Sequence, residues 1–243
     1  IIGQSLHHLY ISQGYKVIRV NHLGDWGTQF GKLIAAYKKW GDEKQLNNDP
    51  IRYLLGIYVK FHHEAEKDPS LEDEARKWFK RLEEGRKDAV ALWKKFSDLS
   101  IKDFKKVYRL LNVDFESYKG EAFYKDKMEP IIKELEKKHL LEESEGAQIV
   151  NLEQYGLTSA IIRKKDGATV YLTRDLAAAP YRKKTYHFDK MLYEVGSEQR
   201  LHFQQLFKIL ELMGYNWAKE CVHITHGLYL DQDRKKLATR KGK

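Results

Sequence analysis

The chain has 243 residues, of which 42% are hydrophobic and 12% aromatic, enough for one large domain or two modest ones with a sizeable core. A net charge of +9, from 44 Lys and Arg against 35 Asp and Glu, favours polyanionic partners: nucleic acid, nucleotide phosphates or an anionic membrane surface. The single cysteine, Cys221, excludes a disulfide framework and a cysteine zinc site and makes a reducing, intracellular compartment the expectation, while no apolar run is long enough to cross a membrane.

The chain opens inside an apolar helical pattern, "IIGQSLHHLY", with Ile2, Leu6, Leu9 and Tyr10 on one face and Gly14 as the stop. It has no initiator Met, cap or targeting signal, as expected of the middle of a longer protein. "YKVIRVNH", 15–22, predicts a short strand, and "GDWGTQFGKLIAAYKKW" a glycine-punctuated turn followed by a helix. Helix, strand, turn and helix with short connections point to an open α/β sheet. From 42 to about 145 the sequence is highly charged, poor in glycine and helical in pattern. Its apolar stripes are Trp78, Phe79 and Leu82; Ala89, Leu92, Trp93 and Phe96; and Ile101, Phe104, Val107, Tyr108 and Leu111. Ser100 with Asp103 suggests that a new helix starts there. "TSAIIRKKDGATVYLT" predicts a hairpin turning at Asp166-Gly167. A strand over 190–195 ends in Gly196, "SEQRLHFQQLFKILELMGY" continues as an amphipathic helix, and "CVHITHGLYL" is another strand, so the α/β pattern returns after the helical middle.

Four stretches carry possible chemistry, each with a plainer reading beside it. In "NHLGDWGTQFG", 21–31, three glycines within eight residues allow close backbone approach at a helix start, with Asn21, His22, Asp25 and Gln29 adding polar reach. Taken alone, the stretch reads as a tight strand-to-helix turn with a capping Asp, because lone glycine-rich turns are weak evidence. In "YLTRDLAAAPYR", Tyr171 and Asp175 are four apart and face one cleft if a helix begins near Thr173. A carboxylate there suits a guanidinium or ammonium, but it equally suits the positive end of a helix dipole, and both readings stand. "VGSEQRLH" lies at the carboxyl end of a sheet strand, where open α/β sheets bind ligands; ordinary capping by Ser197 is the alternative. "HITHGLYLDQDRKKLATRKGK" leads from a strand into a basic run that can hold a triphosphate or simply be solvated. His223 and His226 are three apart on a strand, point to opposite faces and make a poor metal pair.

Taken together, "YKVIRVNHLGDWGTQFGKLI", "VYLTRDLAAAPYR", "LYEVGSEQRLHFQQLFKILELMGY" and "LATRKGK", in this order and spacing, resemble the catalytic core of the arginyl-tRNA synthetases, a class I aminoacyl-tRNA synthetase family. The resemblance covers nearly the whole chain and is loosest in the helical middle. It implies an α/β fold, a Rossmann-like class I synthetase catalytic domain with a mainly helical insertion, truncated at both ends. Residues 1–41 and 149–243 would form the two parts of the catalytic domain and 42–148 the insertion. It implies an arginine pocket of Tyr171, Asp175 and Gln199, with Asp175 pairing the guanidinium. His226, Gly227, Gly196 and Thr239 would serve the ATP site, with His226 and Gly227 near the adenine. The lysine-rich loop typified by Lys-Met-Ser-Lys-Ser corresponds to 236–242. There Ala238 and Thr239 depart from the usual pattern, so Lys236, Arg240 and Lys241 inherit the catalytic phosphate role. The family's His-x-Gly-His element would lie before Ile1, and the chain alone is expected to be inactive or nearly so.

The implied reaction joins L-arginine to ATP, giving arginyl-adenylate and pyrophosphate, and then to the terminal adenosine of tRNA(Arg). Its expected cofactor set is ATP with Mg²⁺, with no protein-held metal. The expected setting is cytoplasmic, with no membrane partner and with other synthetases as a further partner class. The alternatives are another class I synthetase and a non-catalytic RNA-binding relative in which the basic surface does the work.

Overall fold

A computed structural model describes residues 1–228, 230 and 232–234. The chain divides into two compact units, one built on residues 3–120 and the other on 121–228.

The first unit is helical. α1 (Ile2–Ser12) ends just before Gly14, whose φ of +84° reverses the chain in a conformation that glycine adopts without strain. The predicted strand over 15–22 does not form as a ladder. The segment makes one parallel bridge, Val20 to Ser117, with the Asn21 amide donating to the Ser117 carbonyl at 2.8 Å. A β-rich run becomes a strand only when a partner continues beside it, and here the pairing lasts about one residue.

α2 (Thr28–Trp40), α3 (Glu43–Asn48), α4 (Pro50–Lys67), α5 (Ser70–Glu83) and α6 (Lys87–Leu110) follow. Their starts are written in local chemistry. The Asp42 carboxylate accepts from the Lys44 and Gln45 amides, and Asp49 accepts from Arg52 with Pro50 in the first turn. α5 opens on Glu72 and Asp73 and closes on Lys80 and Arg81, matching its dipole at both ends. Ile34, Ala35, Phe61, Leu71, Ala75, Leu82 and Phe96 form buried parts of this unit. Gly31 is where α2 meets α5: a Cβ there would stand 2.3 Å from the Ala75 carbonyl oxygen. The expected helix start at Ser100 is not seen, because α6 runs unbroken through it. A capping pattern acts only where the chain has already left the helix, and Leu99, Ile101 and Lys102 supply no break.

Among the described residues, both sheets lie in the second unit. A short 3₁₀ turn (Glu121–Lys127) leads into α7 (Met128–Lys137). The helical pattern therefore stops before 145. β1 (Glu142–Ser144), β2 (Ala147–Val150) and β3 (Ala160–Arg163) form an antiparallel sheet in that order. The hairpin turn forms as expected, with Gly167 at φ +82° and the Ala168 amide donating to the Asp166 carboxylate. Its second arm reaches only the Arg163–Thr169 bridge, because α8 (Tyr171–Tyr186) begins two residues later, and β3 pairs with β2 instead.

β4 (Met191–Gly196), a 3₁₀ turn (Ser197–Gln199), α9 (Arg200–Leu212) and β5 (Cys221–His226) give the predicted strand, glycine, helix and strand. β4 and β5 pair in parallel, in register from Met191 with Cys221 to Gly196 with His226. Leu172, Leu176 and Ala179 of α8, Met191 and Tyr193 of β4, and Phe203, Leu206, Ile209 and Leu210 of α9 share one core with β3. That core presents the first turns of α8 and α9 near the carboxyl end of the parallel pair. No helix among the described residues is long and apolar enough to cross a membrane.

Candidate functional site

Within the second unit, α8 starts at Tyr171, two residues earlier than the sequence suggested. Thr173 is fully buried, and its hydroxyl donates to the Ile162 carbonyl at 2.6 Å, fixing the first turn of α8 on β3. Tyr171 and Asp175 then lie one helical turn apart on the same side. The Tyr171 side chain is 55% exposed. The Asp175 carboxylate is held at 2.8 Å by Nε2 of His202, in the first turn of α9. The His202 side chain is 5% exposed and that of Asp175 is 16% exposed. The Tyr171 ring stands 4.8 Å from the His202 ring, and Phe203 backs the imidazole at 5.0 Å.

Beneath this trio is Arg182, buried, with its guanidinium 5.6 Å from the Tyr124 ring and 5.8 Å from the Tyr193 ring. Burial opposes its charge, but Tyr193, Tyr124 and Asp175 more than offset that and hold it firmly cationic. Burial also raises Tyr193 well above the usual phenol range, so it stays a neutral hydroxyl at physiological pH. Asp175 thus has a buried imidazole on one side and the field of a buried guanidinium behind it.

Gly196 ends β4 and packs against the Glu198 carboxylate: a Cβ at 196 would lie 2.3 Å from its Oε2. Gln199 precedes α9 and is exposed. On β5, His223 tucks under Phe203 at 4.3 Å between ring centroids and contacts the Val195 carbonyl through Nε2 at 3.0 Å. His226, opposite Gly196 at the strand end, has Nε2 3.4 Å from Glu194 and Nδ1 2.7 Å from the Gly227 carbonyl oxygen. Gly227 is exposed. Tyr171 and Asp175 therefore share one turn of α8, and Gly196 and His226 share the end of the parallel pair. Lys236, Thr239, Arg240 and Lys241 lie outside the described residues.

The glycine turn of 21–31 belongs to the first unit, where its polar groups are engaged locally. Asn21 donates to the Tyr108 hydroxyl at 2.8 Å, the Trp93 indole donates to the Asp25 carbonyl at 2.7 Å, and Gln29 donates to the Trp26 carbonyl at 2.9 Å. Gly120 lets this turn come close, since a Cβ there would be 2.5 Å from the Leu23 carbonyl oxygen.

His202, Arg182 and Tyr193 were not singled out in the sequence. His202 sits 27 residues from Asp175, and only the packing of α8 against α9 joins them. The sole local signal was a His in the first turn of a helix that follows a sheet strand.

A family profile described as the catalytic domain of class I (R) tRNA synthetases matches residues 1–243. An arginine–tRNA ligase of Clostridium perfringens is 59% identical over 241 residues, 99% of this chain and 42% of that protein. The arginine–tRNA ligase of Clostridioides difficile is 55% identical over 243 residues, 100% of this chain and 43% of that protein. The chain thus spans less than half the length of these curated relatives. Among solved structures, the arginyl-tRNA synthetase of Plasmodium falciparum superposes with a TM-score of 0.72 at 24% identity, over 87% of this chain and 36% of that one. That of Thermus thermophilus gives 0.68 at 15% identity, over 92% and 44%. These superpositions establish the fold, and with the profile and the curated relatives they lead to one assignment: the chain belongs to the catalytic-domain family of the class I (R) tRNA synthetases.

Proposed function

We propose that this chain supplies the amino-acid and nucleotide sites of an arginine–tRNA ligase, with residues 42–148 as a helical insertion between two parts of the catalytic domain. The observation that carries the reading is the Asp175 carboxylate, fixed by His202 beside the exposed Tyr171 ring near the carboxyl end of the β4–β5 pair. A fixed carboxylate receives a planar guanidinium through two charge-assisted hydrogen bonds, and an aromatic face beside it adds cation–π attraction. Gln199, exposed at the start of α9, orients the amino-acid end.

ATP lies across the end of the parallel pair, with Gly196, His226 and Gly227 toward the nucleoside. Lys236, Thr239, Arg240 and Lys241 meet the triphosphate, and Mg²⁺ enters as the counter-ion of ATP. The arginine carboxylate attacks the α-phosphate, the bond to the β-phosphate breaks, and pyrophosphate leaves. A terminal ribose hydroxyl of tRNA(Arg) then attacks the adenylate carbonyl and AMP leaves. Positioning and charge stabilisation suffice for both steps.

The test is isothermal titration of the chain with L-arginine and with L-citrulline, its uncharged near-isostere. Arginine is expected to bind at least about 10-fold more tightly, and Asp175→Asn to remove most of that difference, the size expected for a charge-assisted contact. Equal binding of the two amino acids, or a preference that survives Asp175→Asn, would overturn the proposal.

A further inference from the structure

A buried guanidinium is costly to keep, and the proposed reaction does not use the one in α8. Arg182 is 6% exposed. It lies seven residues after Asp175, two helical turns, so the two side chains leave the same face of α8. Long helical side chains lean toward the N-terminus, which carries this guanidinium back toward Asp175 and the first turn.

Two rings seat the cation. Its centre stands 5.6 Å from the Tyr124 ring and 5.8 Å from the Tyr193 ring, and both rings are buried. Tyr193 packs on Phe203 at 4.9 Å and Phe203 on His202 at 5.0 Å, so one run of rings joins the cation to the imidazole that holds Asp175. Burial raises both phenols above their ordinary range and they stay uncharged at physiological pH, so neither cancels the guanidinium. Burial raises the Cys221 thiol of β5 as well, to about 12. The Arg174–Glu121 pair, at 3.1 Å, is balanced within itself. Tyr171 of α8 and His202 of α9 border the carboxylate directly.

We propose that Arg182 is a positioning residue of the arginine site: its buried charge, seated between Tyr124 and Tyr193, keeps the Asp175 carboxylate ionised where little water reaches it. The carboxylate side chain is only 16% exposed, and an incoming guanidinium takes it further out of water. An imidazole N–H contributes one hydrogen bond, whereas a fixed cation acts at longer range in a site of low dielectric. Arg182 does not touch the substrate. Its charge also repels an incoming guanidinium, so at neutral pH the two effects oppose and affinity changes little. Its signature is the pH dependence: without the cation, Asp175 takes up a proton at higher pH and releases arginine there. The inference rests on Asp175 as the receptor for the guanidinium and adds what keeps that receptor charged.

The test compares the wild-type chain with Arg182→Met, Arg182→Gln and Arg182→Lys. The carboxyl carbons of isotope-labelled aspartates are followed by NMR against pH without ligand, with Asp175→Asn assigning the signal. Both neutral variants are expected to move the Asp175 midpoint up by about one unit, and Arg182→Lys to return most of the way. Calorimetric titration with L-arginine between about pH 4.5 and 8 should then show the neutral variants within about 3-fold of wild type at neutral pH but about 10-fold weaker on the acid side, the equivalent of one unit. The same displacement in a His202→Asn background separates it from the titration of the imidazole.

A merely structural Arg182 would lower the unfolding temperature and leave the Asp175 midpoint where it was. The inference is overturned if a folded neutral variant keeps the wild-type midpoint, if Arg182→Lys behaves as Arg182→Met, or if the displacement vanishes without His202. It is overturned as well if neither neutral variant folds, since the requirement is then structural. A wild-type chain that binds arginine no better than citrulline, while the midpoint still moves, would sink the proposed function; an unmoved midpoint with the arginine preference intact would sink this inference alone.

Discussion

His202→Ala removes the imidazole that fixes Asp175 and leaves Tyr171 without the ring it packs on. The lost contact is a 2.8 Å bond between side chains that are 5% and 16% exposed, where water replaces it poorly. A hydrogen bond to a charged group contributes about 1.5–3 kcal/mol, so arginine affinity should fall about 10- to 100-fold. ATP affinity should change little, because Gly196 and His226, assigned to the nucleotide, end β4 and β5 and make no hydrogen bond to His202. Titration calorimetry with each ligand reads that split, and thermal unfolding reports the separate loss of packing against Phe203. Two further variants sharpen the reading. His202→Asn keeps an N–H donor and should recover part of the affinity, whereas His202→Phe keeps the ring but not the donor and should not. Arginine binding unchanged in His202→Ala, or fully restored by His202→Phe, would refute the view that this hydrogen bond organises the pocket.

Two further perturbations test the first unit. Gly31→Ala would ordinarily strengthen a helix by up to about 1 kcal/mol, yet here its Cβ meets the Ala75 carbonyl at 2.3 Å and the Phe79 Cβ at 2.7 Å. The obstruction is largely backbone, so α2 and α5 must separate, and a net loss of about 1–3 kcal/mol in urea unfolding is expected; a variant as stable as the wild type would contradict that packing. Glu116 is held at a pKa of about 2, first by its hydrogen bond from Arg19 and against the effect of burial. A depressed carboxylate stabilises the fold above its ordinary value of 4.5, and that contribution disappears as pH falls through about 2. With its side chain 43% exposed, the pair contributes under about 1 kcal/mol. The stability gap between wild type and Glu116→Gln should therefore close as pH is lowered from 7 through this window, and a gap that stays constant would count against the pair.

What the sequence made legible was local. The apolar run of β4, its terminal glycine and the amphipathic α9 are contiguous signals, and the strand, helix and strand appear at the expected places. Asp42 and Asp49 cap helices through their own near neighbours. Features that depended on a distant partner were not legible. The run 15–22 has strand composition, but its fate depends on what continues beside it, and Ser117 supplies one bridge only. The second arm of the hairpin has strand composition too, but the buried bond from Thr173 to Ile162 commits it to α8. His202 is similar: nothing within ten residues of it names Asp175 as its partner. The change from helices to short strands after Lys137 follows a stretch whose Lys and Glu composition differs little from that of the helices before it.

The start of α8 also bears on the two readings of Asp175. A carboxylate gains from the helix dipole mainly within the first turn, where Asp175 would lie in a helix beginning near Thr173. With the helix starting at Tyr171, Asp175 is the fifth residue, and the first turn contains no acidic side chain. Most of the dipole's benefit is therefore gone, while the carboxylate is still mostly withdrawn from water. Its compensation comes from His202 and from the field of Arg182, both supplied by tertiary packing rather than by the helix itself. An acid used only to begin a helix needs neither. A carboxylate carried past the first turn, held by the buried His202 imidazole, in the field of the buried Arg182 guanidinium and bordered by an exposed tyrosine, is the arrangement on which the proposed arginine site rests. The plain capping role is the weaker account of that arrangement, and a guanidinium has the charge and the planar fork to complete it.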